Sequence, residues 1–279
     1  MNRLSRQQRV RVASALVEGN SIRATVRMTG VAKNTVVKLL RDLGAACQAY
    51  HDEHVRGLTC EHIQTDEIWS FCYCKQANVP AQLQGQEGVG DVWTWTAIDA
   101  DTKLVATWIV GLRDADTARD FMFDLADRLA DRTQLSTDGL STYVDAVQKA
   151  FGDEIDFAQI VKQYAAKRDP GHRYSPPVCT GCHKRAISGD PDPEHVSTSY
   201  VERQNLTMRM SMRRFTRLTN AFSKKLENLE HAVALHFMYY NFCRKHQTLR
   251  QTPAQAAALA DHQWGIDELA GLLKTAESN

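Results

Sequence analysis

The fold of this chain is constrained most by a change of hydrophobic period near residue 63. Before it, apolar residues recur at helical spacing. After it come three strand-like segments, Ile63–Phe71, Val92–Ile98 and Leu104–Gly111. The last two flank Asp99-Ala100-Asp101-Thr102, a composition suited to a hairpin turn. A helix follows, capped by Asp114 or Asp116, with Phe121, Leu125 and Leu129 on one face beside Ala118 and Met122. Next come a short strand, Gln134–Thr137, a helix capped by Ser141 with Val144, Val147, Ala150 and Phe151 inward, and a strand around Ile155–Val161. Residues 165–198 contain Pro170, Pro176, Pro177, Pro191 and Pro193 and read as an irregular insertion. Helical spacing returns near Ser199, and again from about Lys225 to Arg244 with Leu226, Leu229, Val233, Phe237 and Tyr240.

Three strands, a helix, a strand, a helix, a strand and a final helix is the order of an RNase H-like domain, an α/β fold with a mixed sheet and flanking helices. The segment ahead of it is all-α. One helix runs from about Ser5 to Glu18. Ser21 caps a second, Ile22 to about Met28, and Thr29-Gly30-Val31 turns into a third, Ala32 to Leu43, which Gly44 ends. Two helices joined by a short Gly-containing turn make a helix-turn-helix, whose second helix would offer Lys33, Asn34, Thr35 and Lys38 to a DNA major groove. The alternative is a small helical bundle without DNA contacts. The expected organisation is therefore a helix-turn-helix domain at 1–45, a linker at 46–62, a catalytic domain at 63–250 and a helical C-terminal tail at 251–279.

The 279 residues carry a net charge of only +1, but the charge is segregated. Residues 1–50 hold nine Lys/Arg against two acids, residues 196–250 hold ten against three, and residues 51–195 hold 14 against 24. Basic flanks around an acidic centre fit a protein that grips phosphates and gathers carboxylates between its grips, although solvated faces alone can produce such blocks. No run of 18 apolar residues occurs, so no membrane span is expected. The polar, basic opening is unlike a signal-peptide core, which makes the cytoplasm the expected location. Seven scattered cysteines then read as reduced thiols.

Three acidic motifs stand out: Thr65-Asp66-Glu67-Ile68-Trp69 on the first strand, Ser136-Thr137-Asp138-Gly139 at the end of the fourth, and Tyr200-Val201-Glu202-Arg203-Gln204-Asn205 on a helix. In an RNase H-like sheet the first and fourth strands are neighbours, so Asp66 and Asp138 can meet while Glu202 packs across from a helix. Such oxygen ligands suit two Mg²⁺ or Mn²⁺ ions about 3.5–4 Å apart, the arrangement for in-line displacement at a phosphodiester. Glu202, Asn205, Arg209 and Arg213 share one helical face, which could place an acid on a metal and two cations on DNA phosphates, or could simply be solvated. Glu67 should point to the opposite side of its strand and is set aside.

These blocks resemble those of DDE transposases of the IS-one insertion-sequence group. Arg217-Leu218-Thr219-Asn220-Ala221-Phe222-Ser223-Lys224-Lys225 is similar to a stretch in that group. Tyr240-Asn241-Phe242-Cys243-Arg244-Lys245-His246 with Thr252-Pro253-Ala254 is similar to a tail common in bacterial transposases. The resemblance spans residues 63–256. It implies a transposase that cleaves double-stranded DNA at element ends and joins the 3′-hydroxyls to target DNA, acting as a homo-oligomer on DNA. Asp66, Asp138 and Glu202 would be its metal ligands, and Arg209 a contact to the DNA end. Many members also carry an N-terminal zinc element, but Cys47 is the only cysteine in the first 59 residues here, so the helix-turn-helix is expected to read the ends. A resolvase or nuclease of the same fold, or a decayed transposase that still binds DNA, are the rival readings.

Cys179-Thr180-Gly181-Cys182-His183 has the spacing of a c-type haem attachment, which would require export. A Zn²⁺ site using Cys179 and Cys182 with His172, His183 or His195 is the better metal reading, and an insertion with incidental thiols the simplest. Asp99 and Asp101 are expected to serve the turn. His231, His236 and His246 are expected in packing or surface roles, and Trp69, Trp93, Trp95 and Trp108 in the core.

Overall fold

A computed structural model describes residues 4–164, 179–216 and 220–275. Its centre is a six-stranded mixed sheet of order β3-β2-β1-β4-β5-β6, with β1 at His62–Cys72, β2 at Gly90–Asp99, β3 at Val105–Gly111, β4 at Thr133–Asp138, β5 at Ile155–Tyr164 and β6 at Cys179–Ser188. The first three strands form an antiparallel meander, β4 and β5 join parallel to β1, and β6 closes the far edge antiparallel. Asp99 builds the hairpin turn as expected, its carboxylate accepting from the amides of Asp101 (3.0 Å) and Thr102 (3.4 Å).

Strand β6 lies inside the segment expected to be irregular. Its residues are mostly exposed and polar, so no apolar alternation marks it, and backbone pairing with β5 is what makes it a strand.

Helices cover both faces. Helices α4 (Ala115–Ala126) and α5 (Thr142–Phe151) lie on one, where Trp95 packs on Phe121 and Tyr143 at ring separations of 6.0 and 5.4 Å. The other face meets α3 (Lys33–His54), α6 (Ser199–Ser211) and α7 (Leu226–Met238), with Trp108 against His51 at 4.3 Å and Phe237 at 5.0 Å. Trp95 and Trp108 are thus core residues, whereas Trp69 and Trp93 are only partly buried.

Helix α1 (Arg6–Val17) begins with a capping box between Ser5 and Gln8, and α2 (Ile22–Thr29) is capped by Ser21 and closed by Gly30 in the left-handed region (φ 70°). Gly44 does not end α3, which continues through it to His54 and occupies half of the expected linker. The glycine serves close approach instead. A Cβ there would fall 2.4 Å from the Cβ of His231 on α7, so its absence lets the two helices touch. The far end of α3 is locked by Arg128, which is 1% exposed. It donates to Asp52 (2.6 Å), Asp124 (2.8 and 3.0 Å) and the carbonyl of Val55 (3.1 Å).

Helix α7 stops at Met238, short of the expected Arg244, and widens into a π-turn over Tyr239–Cys243. That turn aims buried Asn241 at β3, where its side chain donates to the Val105 carbonyl (2.9 Å) and accepts from the Val105 amide (3.0 Å). The tail-like Tyr240-Asn241 signature is therefore structural here. Beyond it, Trp264 packs on Phe242 and Tyr50 at 4.6 and 5.0 Å, and three short helices, Pro253–Ala256, Ile266–Leu269 and Leu272–Thr275, complete the described chain. Among the described residues no helix is long and apolar enough to cross a membrane.

Candidate functional site

The site forms where two strands part. β1 and β4 pair over only three positions, ending at Gln64 and Ser136, and the residues just beyond, Asp66 and Asp138, flank the divergence. Glu67 joins them: ligand oxygens of Asp66, Glu67 and Asp138 lie within 4.8 Å of one another. The sequence reading set Glu67 aside on strand alternation. Alternation itself holds, since Asp66 meets α6 while Glu67 meets α5, but near the gap both carboxylates reach Asp138.

Each acid has its own partner. Asn205 of α6 donates to Asp66 (2.8 Å), Arg113 and the Tyr143 hydroxyl donate to Glu67 (2.6 and 3.0 Å), and the Leu140 amide donates to Asp138 (3.0 Å). Arg113 also stands 3.8 Å from Asp138. Gln159 on β5 steadies the turn after β4, donating to the carbonyls of Asp138 (2.9 Å) and Leu140 (3.1 Å). Burial, followed by the nearby charges of Glu67 and Asp138, raises the Asp66 carboxyl to about 7. Burial and Asp138 also raise Glu67, against the pull of Arg113. Three crowded carboxylates with such proton affinity are a hard-oxygen donor set that a divalent cation fits.

Glu202 lies outside that three-acid group. It accepts from Thr198 (2.6 Å) and is ion-paired with Lys162 of β5. Its helix is nonetheless fastened to β1, because Gln64 accepts from the amides of Tyr200 (2.8 Å) and Val201 (3.3 Å) and Asn205 grips Asp66 one turn further on. Asn205, grouped from sequence with the DNA-facing residues, is thus turned into the site and only 8% exposed. Arg209 remains in the last turn of α6, but Arg213 does not share the helical face. Met212 leaves the helix in an extended conformation (φ −118°, ψ 113°), packs inward, and places Arg213 in a following 3₁₀ turn.

Lys33 and Asn34 are exposed at the start of α3, Thr35 is partly covered, and Lys38 pairs with Asp42. The thiols of Cys179 and Cys182 on β6 lie 3.8 Å apart, and among the described residues they belong to no group of three metal-type ligands; His172 lies outside the described residues. His231 and His236 sit on α7 against α3 and the core, and all seven cysteines are free. A second group, Glu61, His62 and Asp101, gathers at the other end of β1.

Sequence reasoning passed over Arg113, Tyr143, Gln159 and Lys162. Only Gln159 and Lys162 carried a usable signal, as polar residues on the strand that pairs with the one bearing Asp138.

No protein-family model matches the chain, and no curated protein matches it. Among solved structures it is similar to a piggyBac transposase synaptic complex with hairpin DNA, at 8% identity over 99% of this chain and 74% of that one, with a TM-score of 0.39. It is also similar to the Mos1 strand transfer complex, at 11% identity over 85% and 76% of the two chains, with a TM-score of 0.23. Likeness at this level fixes neither family nor activity.

Proposed function

We propose that this chain is a metal-dependent DNA strand transferase of the DDE type, a transposase built on an RNase H-like domain. The observation that carries the reading is the convergence of Asp66, Glu67 and Asp138 at the β1–β4 gap, with the helix bearing Glu202 hydrogen-bonded to the same strand.

Asp66 and Asp138 would hold Mg²⁺ or Mn²⁺, with Glu202 completing the set after release from Lys162. Bound there, such ions supply the charge that activates an attacking hydroxyl and steadies the leaving oxygen. Asn205 fixes the rotamer of Asp66, and Gln159 fixes the turn that presents Asp138. Arg113 holds Glu67 beside the cluster and limits its repulsion. Lys33, Asn34, Thr35 and Lys38 would read DNA from the start of α3, in a helix-turn-helix, with Arg209 near the reacting end. The partner is double-stranded DNA, at element ends and at the target.

The test is a strand-transfer assay in Mg²⁺ or Mn²⁺ using duplexes made from the DNA flanking the reading frame, with Asp138→Asn in parallel. The expected result is joining of a 3′-end to plasmid DNA by the natural protein. Asp138→Asn should lose cleavage by about 10³-fold while retaining DNA binding. Nicking without joining assigns a nuclease instead, and unchanged activity in Asp138→Asn removes the site altogether.

A further inference from the structure

A cleft of about 790 Å³ lies between the N-terminal helices and the end of α6, and five of its lining residues are cations: Arg23, Lys33, Arg213, Arg214 and Lys224. None of its lining residues is acidic. Ion pairs are frequent elsewhere, including Lys38–Asp42 and Arg41–Glu227 close by on α3, yet none of these five pairs with a carboxylate among the described residues. Arg214 is partly buried and its only described hydrogen bond is to the Ser223 hydroxyl, at 2.6 Å.

The helix termini add to this positive field. His236 also lines the cleft, buried and neutral. The first turn of α2 and the first residue of α3 also line it, and α3 has no side-chain cap, so amides at helix starts add to the positive field.

We propose that this cleft binds the sugar-phosphate backbone of the same DNA molecule on which the acidic site acts, independently of its sequence. The proposal rests on the DNA reading above. Five positive charges exceed the charge of about −2 that a single phosphate group presents, whereas a DNA strand supplies one charge per nucleotide. Position supports it too. Ser211 on the cleft wall is six residues along α6 from Asn205, about 9 Å at 1.5 Å per residue, or two to three base-pair rises from the acids. The α1–α2 turn closes on that wall so tightly that a Cβ on Gly19 would lie 2.5 Å from the Ser211 carbonyl oxygen.

The test is fluorescence anisotropy of a labelled duplex of about 20 base pairs and arbitrary sequence, titrated at NaCl concentrations from about 50 to 200 mM. The natural protein is compared with Arg213→Gln/Lys224→Gln, two exposed positions, after thermal melting has shown that the variant is folded. Each phosphate contact contributes about 0.9 to the log–log salt slope, so the double variant should bind more weakly with a slope shallower by about 2. An unchanged slope overturns the proposal and leaves the DNA reading standing. Saturable ATP binding that is lost in the variant, with the DNA slope unchanged, also overturns it and assigns a nucleotide site. A cleft-dependent slope in a protein that neither nicks nor joins DNA supports the cleft and removes the transposase reading. If the natural protein binds no duplex, both fall.

Discussion

The two ends of α6 are electrostatic opposites. At its start, the carboxylates of Asp66, Glu67 and Glu202 are each met by a donor from the protein itself: Asn205, Arg113 with Tyr143, and Lys162 with Thr198. At its end, Arg213, Arg214 and Lys224 face a cleft that supplies no acid. A site satisfied from within can exchange partners when a cation arrives, whereas a cleft of unanswered cations is incomplete until an anion enters. The contrast separates a place where chemistry is staged from a place where a polyanion is held.

The sharpest way to strain that contrast is pH. Burial, and then Arg244, lowers His236 in the cleft wall to about 3, and burial, followed by Arg128, lowers His51 to about 3. Both are neutral when folded and protonate near 6.5 when unfolded, so the unfolded chain binds more protons in the window between. Their contribution to stability is therefore fully present above about pH 6.5 and is lost as the pH falls toward 3. Each histidine adds a slope of up to about 1.4 kcal/mol per pH unit. Asp66, raised to about 7, gives the opposite slope over the same window, so the comparison of variants carries the test. Urea unfolding at pH 8, 6 and 5 should show His236→Gln losing less stability on acidification than the natural protein; an identical pH dependence would contradict the assignment.

Gly44→Ala breaks the scaffold shared by both regions. The added methyl meets backbone and Cβ of His231 at 2.4 to 2.6 Å, so α3 and α7 must separate, at a cost of about 1–3 kcal/mol. Thermal melting reads this directly, and an unchanged melting temperature would mean that the helices are less closely apposed.

The smallest effect compares the two sites themselves. In metal-free protein Asp66→Asn relieves repulsion among three crowded carboxylates and should raise the melting temperature by about 2–4 °C. Lys224→Gln, at an exposed position, should change stability by no more than about 0.5 kcal/mol. Added Mg²⁺ should stabilise the natural protein and not the Asp66→Asn variant. Equal shifts in the two variants would erase the distinction.

Much of the sheet was readable because β1 to β5 alternate or run apolar, and Asp66 and Asp138 could be paired because strand order made their strands neighbours. β6 was not readable, since an exposed edge rich in Cys, Thr, Lys and Arg carries no burial pattern. Gly44 misled for a different reason: a glycine near a helix end is locally indistinguishable from one cleared for a crossing helix. Alternation correctly sent Glu67 to the other face but could not anticipate the gap through which it reaches Asp138. Arg113 and Tyr143 come from separate elements, and only the folded chain brings them to the acids.

The unbroken run of α3 through Gly44 makes one rod of 22 residues, about 33 Å long at 1.5 Å per residue. Its outer end carries Lys33 and Asn34, while its inner end is clamped by Arg128. Such a rod behaves as a caliper, fixing both span and phase between its tips. A single residue inserted midway would rotate one tip by about 100° relative to the other.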